Sequence, residues 1–302
     1  MKNHVIGVDI GGTNIRVALL NEKLEIVKKE TALTMDFRTL DDFLKKIQVM
    51  IKSVDYRKET DSVGIVIPAP WTKDEKVITD VTNIPYLEGI EVDRILTYFK
   101  EYKVYLENDV NVIALLESDY GAAKNYDNSI YITVSTGIGS GIIIDNKIFH
   151  GANGYAGEIG NVVISKTSKE YLQNTLEAKC SGKALDDESV RLYGDKGNAR
   201  ELFQRYENGE EKAKKVIEVW IEDLTSGLAS VIQMLDPGVI VLGGPVVLNH
   251  SWVIERLRVA TKEKLSGKLA ERMVMVIAEY GIEAGIIGAG YYAKCKQREG
   301  KL

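Results

Sequence analysis

Two stretches of this chain read alike. Val8–Leu20 runs VDIGGTNIRVALL and Val134–Ile144 runs VSTGIGSGIII: a β-rich strand, a polar residue, a glycine turn and a second β-rich strand. A unit that recurs far along a chain predicts two domains of one design, each opening with a glycine-turn hairpin. The length of 302 residues accommodates both, and 45% hydrophobic residues supply a core for each.

Periodicity fills in the surroundings. His4 to Ile10, Ile15 to Leu20 and Leu24 to Lys29 read as an antiparallel meander. Leu40, Phe43, Leu44, Ile47, Met50, Ile51 and Val54 recur at helical spacing behind Thr39, a good N-cap, and Ser62 to Ile67 is an apolar strand closed by Pro68. In the second half, Ser129 to Ser135, Ile142 to Asp145 and Lys147 to His150 repeat the strand pattern. A long apolar stripe over Ala213 to Leu235 predicts a helix stopped by Asp236-Pro237-Gly238. Val239 to Leu242 is then a short strand ending on Gly243-Gly244-Pro245, Met273 to Ala278 another strand, and Ile282 to Lys294 a last helix. The fold class is therefore α/β, in two mixed domains.

Composition excludes several roles. The net charge is −5 and no dense Lys/Arg run occurs, so neither nucleic acid nor a membrane surface is an expected partner. Two cysteines, Cys180 and Cys295, and three histidines, His4, His150 and His250, are too scattered for a disulfide framework or a metal cluster. The N-terminal segment lacks a signal-peptide pattern, and no window approaches the ~20 apolar residues of a membrane span. A cytoplasmic protein acting on small molecules is the expectation.

Glycine turns between strands let backbone N–H groups approach an anion closely, so a pair of them could grip a polyphosphate. Asp9 stands beside Gly11, Gly12 and Thr13, where a carboxylate could hold Mg²⁺ through water; it could equally cap the turn. Thr136 and Gly137 offer a hydroxyl and an amide without an acid. GIGSG enters a strand rather than a helix, so it is not a dinucleotide fingerprint. Asn108-Asp109 could be reactive groups or a simple helix N-cap.

DIGGTN at 9–14, END at 107–109, STGIGSG at 135–141, GxxGxxGEIG at 151–160 and DPGVIVLGGP at 236–245 together resemble the ROK family, within the actin-like, sugar-kinase ATPase superfamily. The resemblance covers almost the whole chain in order. It implies two actin-like (RNase H-like) ATPase domains with a cleft between them, residues 1–113 plus 286–302 forming the smaller and 114–285 the larger. It also implies a homodimer, with ATP and Mg²⁺ as cofactors and a sugar as the small-molecule partner. By resemblance Asp109 is the catalytic base. Gly11, Gly12 and Thr13 form the first phosphate loop, Thr136 and Gly137 the second, and Gly243 and Gly244 the adenosine-binding turn, while Asp9 is the Mg²⁺ residue. Asn83, Asn108, Glu158 and Glu177 match sugar-binding positions, with Glu158 expected to be a buried, ligand-facing carboxylate between Gly157 and Gly160.

The chain departs from the family where His usually follows GEIG and a cysteine-rich zinc loop comes next. Here Asn161 follows, then Val162 to Thr175 without a cysteine, so no zinc site is expected and Cys180 reads as a core residue. Asn161 remains a candidate sugar ligand. Ala69 stands where the family has the glycine of V-P-G-P. The expected reaction is transfer of the γ-phosphoryl of Mg·ATP to the 6-hydroxyl of a hexose or N-acetylhexosamine. N-acetylmannosamine is preferred and glucose is second. A non-catalytic sugar-binding regulator is the alternative of another class; a DNA-binding repressor is not expected, since only three residues precede the first strand.

Overall fold

The computed structural model describes residues 4–72, 74, 76–81, 84–250 and 252–299. The chain divides into two compact units. The first comprises residues up to Leu116, Ile148–Ala156 and the stretch from Ile282 onward; the second comprises Glu117–Lys147 and Gly157–Gly281. The Ile148–Ala156 segment thus belongs to the first unit, where the sequence reading had assigned it to the second.

The sheet of the first unit is built from β1 (Val5–Ile10), β2 (Asn14–Leu20), β3 (Ile26–Leu33), β4 (Ser62–Ile67) and, after a two-stranded ribbon of β5 (Val77–Ile78) and β6 (Ile90–Glu91), β7 (Lys103–Asn108). Their order is β3-β2-β1-β4-β7, the first three antiparallel and the last three parallel. The helix Leu40–Val54, capped by Thr39, which accepts from Asp42 N, turns its buried stripe to one sheet face. The helix Ala284–Glu299 covers the other. Two faces covered explain why every residue of β4 is buried.

The last helix comes unusually close. Gly7 and Gly64 are partners in register on β1 and β4. A Cβ on Gly7 would stand 2.0 Å from Ile286 O, and one on Gly64 1.9 Å from Ala289 O. Only glycine fits at either place, so helix backbone lies directly on sheet backbone.

The second unit repeats the plan with β8 (Ser129–Val134), β9 (Ile138–Ile144), β10 (Lys147–Ile148, whose Ile148 counts with the first unit), β11 (Val239–Gly243) and β12 (Met275–Ile277). The order β10-β9-β8-β11-β12 matches the first sheet position by position: an antiparallel hairpin pair, then three parallel strands. The internal repeat is real in three dimensions. Its main helix, Glu211–Leu235, ends on Asp236 in a left-handed conformation (φ 42°) before Pro237 blocks continuation. Trp220 is buried within this helix and donates to Cys180 O at 2.8 Å; Cys180 is fully buried, and burial pushes its thiol far up.

Candidate active site

In each unit the sequence motifs fall at the carboxyl ends of the parallel strands, where open α/β sheets bind ligands. In the first unit, Asp9 pairs in register with Val66 and Val66 with Glu107. Asp9 and the END segment therefore lie at one level, two strands or about 10 Å apart.

The turn Gly11-Gly12-Thr13 closes with Gly11 N donating to Asn14 O at 3.0 Å. Thr34 braces it from the end of β3: its hydroxyl donates to Gly11 O at 2.6 Å and its N–H to Thr13 O at 2.9 Å. Asp9 meets Arg16 across the hairpin, Arg16 Nη1 to Asp9 Oδ2, at 3.0 Å. Burial pushes the Asp9 carboxyl above its usual range, and the Arg16 guanidinium pulls it partly back. The carboxylate also presses on the start of the last helix, since a Cβ on Gly285 would lie 2.9 Å from Asp9 Oδ2. Mg²⁺ is commonly held by one or two carboxylates with phosphate and water completing its shell, so a single half-buried Asp9 fits it. No group of three or more metal-ligating side chains occurs among the described residues.

Asn108 ends β7, and Asp109 opens the helix Asp109–Asp119. Asn108 Oδ1 accepts from Val110 N at 2.9 Å and Asn111 N at 3.1 Å, and its Nδ2 donates to Ala69 O at 3.0 Å. Asn108 is therefore the helix N-cap, with its oxygen already occupied. The cap fixes Asp109 at the first helical position, and Ala69, the departure from the family's glycine, supplies the carbonyl that holds Asn108. Asn83 lies outside the described residues.

In the second unit, the turn after β8 and the end of β11 are neighbours. Gly244 has φ 85°, and a Cβ there would sit 2.4 Å from Val134 O. The helix Gly182–Tyr193 brings its N-terminus to the same place: Gly182 N donates to Ser135 O at 2.7 Å and Lys183 N to Thr136 O at 3.3 Å. Gly243, Gly244, Thr136 and Gly137 are thus gathered beside a helix N-terminus whose first N–H groups are spent on holding the turn itself.

GEIG runs across the second hairpin. A Cβ on Gly157 would lie 2.3 Å from Ser140 O, and one on Gly160 2.4 Å from Ile138 O, while Ser140 Oγ donates to Gly157 O at 2.7 Å. The two glycines are packing requirements between motifs. They do not bury the glutamate: Glu158 is exposed, correcting the expectation of a buried side chain. Asn161 Nδ2 stands 3.4 Å from Glu158 Oε2, so these two candidates are together. Glu177, in contrast, reaches back to the second turn, its Oε2 accepting from Ile138 N at 2.8 Å. One of its oxygens therefore braces the glycine turn.

The loop between Asn161 and Glu177 is organised by Asn174, which is buried. Its Oδ1 accepts from Ser168 N at 2.9 Å and Ser165 Oγ at 3.1 Å, and its Nδ2 donates to Ser168 O at 2.8 Å. One amide side chain thus closes the stretch where the family carries its cysteines. Asn174 gave no sequence signal. Arg16 did: counting back equally from the turn, it stands opposite Asp9.

The chain matches the ROK family over residues 5–296. It is 26% identical to a glucokinase of Thermotoga maritima, over 97% of this chain and 98% of that protein. It is 28% identical to an N-acetyl-D-glucosamine kinase of Histophilus somni, over 94% and 96% respectively. Among solved structures, the ROK hexokinase of Thermus thermophilus superposes with a TM-score of 0.85 at 30% identity, covering 98% of this chain and 99% of that one. With its repeated sheet order and its motifs at matching strand ends, this chain belongs to the ROK family and has the family's actin-like ATPase fold.

Proposed function

We propose that this protein is an ATP-dependent carbohydrate kinase that phosphorylates the 6-hydroxyl of a hexose or N-acetylhexosamine, with Asp109 as the general base. The observation that supports this reading is the N-cap of Asn108, which fixes the half-buried Asp109 at the first turn of a helix leaving the carboxyl end of a parallel sheet, next to Glu107, the residue that lies level with Asp9. The relatives named as glucokinase and N-acetyl-D-glucosamine kinase support the substrate class.

A sugar hydroxyl is a weak nucleophile at neutral pH. Asp109 accepts its proton as the oxygen attacks the γ-phosphorus and the bond to the β-bridging oxygen breaks. Asp9 would hold Mg²⁺, which when bound neutralises charge on the phosphates. The amides of Gly11 and Gly12 with the Thr13 hydroxyl, and Thr136 with Gly137, would orient phosphate oxygens. Gly243 and Gly244 would receive the adenosine. Glu158 and Asn161, side by side, form the sugar-binding pair. Asn108 holds the base in place through its cap, and its second Nδ2 hydrogen can still reach a sugar oxygen.

Within the substrate class, N-acetylmannosamine is favoured, because Asn161 and the Asn174-closed loop replace the family's His and zinc loop beside the sugar-binding positions. Glucose is second. A coupled assay with glucose, mannose, N-acetylglucosamine and N-acetylmannosamine tests the reading: sugar-dependent ADP release is expected with at least one of them. Asp109→Asn should lower kcat by roughly 10²–10⁴-fold while sugar binding persists. ATP consumption at the same rate with and without every sugar overturns the proposal.

A further inference from the structure

Glu107 is fully buried, yet a buried carboxylate is costly unless its oxygens are paired. Its Oε1 accepts from Asn108 N at 2.9 Å and from Asn111 Nδ2 at 3.1 Å, both in the turn that carries Asp109. Its Oε2 meets His150 Nε2 at 2.9 Å. Tyr292, on the last helix, is also hydrogen-bonded to it; burial first, then this carboxylate, push the Tyr292 hydroxyl up.

His150 heads the segment that runs on to Gly157 and Glu158. That segment is tied down along its length within the first unit. Ala156 N donates to His150 O at 3.2 Å, Tyr155 hydrogen-bonds Asp80, and Gly154 (φ 82°) lies so close that a Cβ would meet the Trp71 backbone at 2.9 Å. Glu107 and His150 line a cavity of about 740 Å³ with Trp71, Tyr105 and Gly151, so the imidazole is reached by solvent while the carboxylate is not.

We propose that Glu107 is a positioning residue, one carboxylate whose two oxygens set, respectively, the start of the catalytic helix and, through His150, the segment leading to the sugar-binding Glu158. This rests on the kinase reading above. Asn108 caps the helix that Asp109 opens, and Glu107 holds the cap's own backbone N–H.

Kinetics and amide hydrogen exchange on His150→Ala, Glu107→Gln and the double variant test it. His150 is partly exposed and Gln keeps the shape of Glu while losing one acceptor, so wild-type exchange outside the two segments serves as the check that the fold persists. Each single variant is expected to lower kcat by about ten- to a hundredfold while KM for ATP stays within about twofold, since small misplacement of a reacting group acts on the chemical step. The double variant should be no worse than the poorer single, as for groups that act together. Exchange should quicken at residues 109–112 and 151–156 and stay unchanged elsewhere. Unchanged exchange at both segments, or kcat within about twofold of wild type in both singles, overturns the positioning role. A wild type without sugar-dependent transfer overturns the kinase reading instead, and exchange then decides the positioning role by itself.

Discussion

Asp9 sits half-buried with Arg16 as its ion-pair partner, and burial outweighs that partner in setting its proton affinity. An acid whose folded pKa lies above its unfolded 3.8 stabilises the fold below that value and loses the contribution as pH rises through the folded pKa. Neutral pH therefore carries a standing cost, which the proposed role of Asp9 as a cation-holding carboxylate would account for. Asp9→Asn removes it: urea midpoints measured from pH 3 to pH 7 should show wild type falling behind the variant as pH increases, while phosphoryl transfer is lost. A difference between the two that stays flat with pH would contradict this. Glu177 gives a second expectation, because its oxygen holds Ile138 N at the second glycine turn. Glu177→Ala should raise KM for ATP, by about tenfold for one lost charge-assisted hydrogen bond, even though the residue matches a sugar-binding position. At this scale the motif residues were legible because glycine turns and an Asn-Asp pair are local patterns. Thr34 was not, and Glu107 and Glu177 were seen only as motif positions, because the bracing contacts of all three join segments apart in sequence. The exposure of Glu158 was misread since its flanking glycines serve the Ser140 and Ile138 carbonyls rather than the glutamate.

Among the elements, the first strand of each hairpin was foreseen nearly to the residue, whereas the third strand of the first meander runs Ile26–Leu33 rather than from Leu24 to Lys29. The second strand of the later hairpin already starts at Ile138 rather than Ile142, because Gly139 and Gly141 pair within the ladder instead of forming the turn. The helix predicted over Ala213 to Leu235 spans Glu211–Leu235. The strand Lys103–Asn108 and the helix Asp109–Asp119 were not foreseen as elements, since KVYLEN alternates weakly and the helix has buried residues on most of its faces, leaving little stripe to read. Two consequences belong here. Gly64→Ala drives a methyl into the Ala289 carbonyl, and overpacking of this kind costs about 1–3 kcal/mol, so the thermal midpoint should drop by several degrees. Asn174→Ala strips the loop between Asn161 and Glu177 of its hydrogen-bonding centre. Faster amide exchange over 165–174 and a raised KM for the sugar are expected, with KM for ATP unaltered; a variant whose loop exchanges as before would show that other contacts hold it.

The whole molecule is a duplicated design in which two sheets share one strand order, and each unit is assembled from pieces separated along the chain. The second unit is nearly continuous, whereas the first needs the last helix to cover one face of its sheet. Because Gly7 and Gly64 are reserved for that helix, the opening strands leave a bare backbone groove until residues 284–299 arrive. On the ribosome, the half that is translated first would then be the half that matures last. A stop codon after Gly281 should therefore yield a chain whose later-translated unit resists protease while its earliest strands are digested, and the missing helix supplied as a separate peptide should restore their protection.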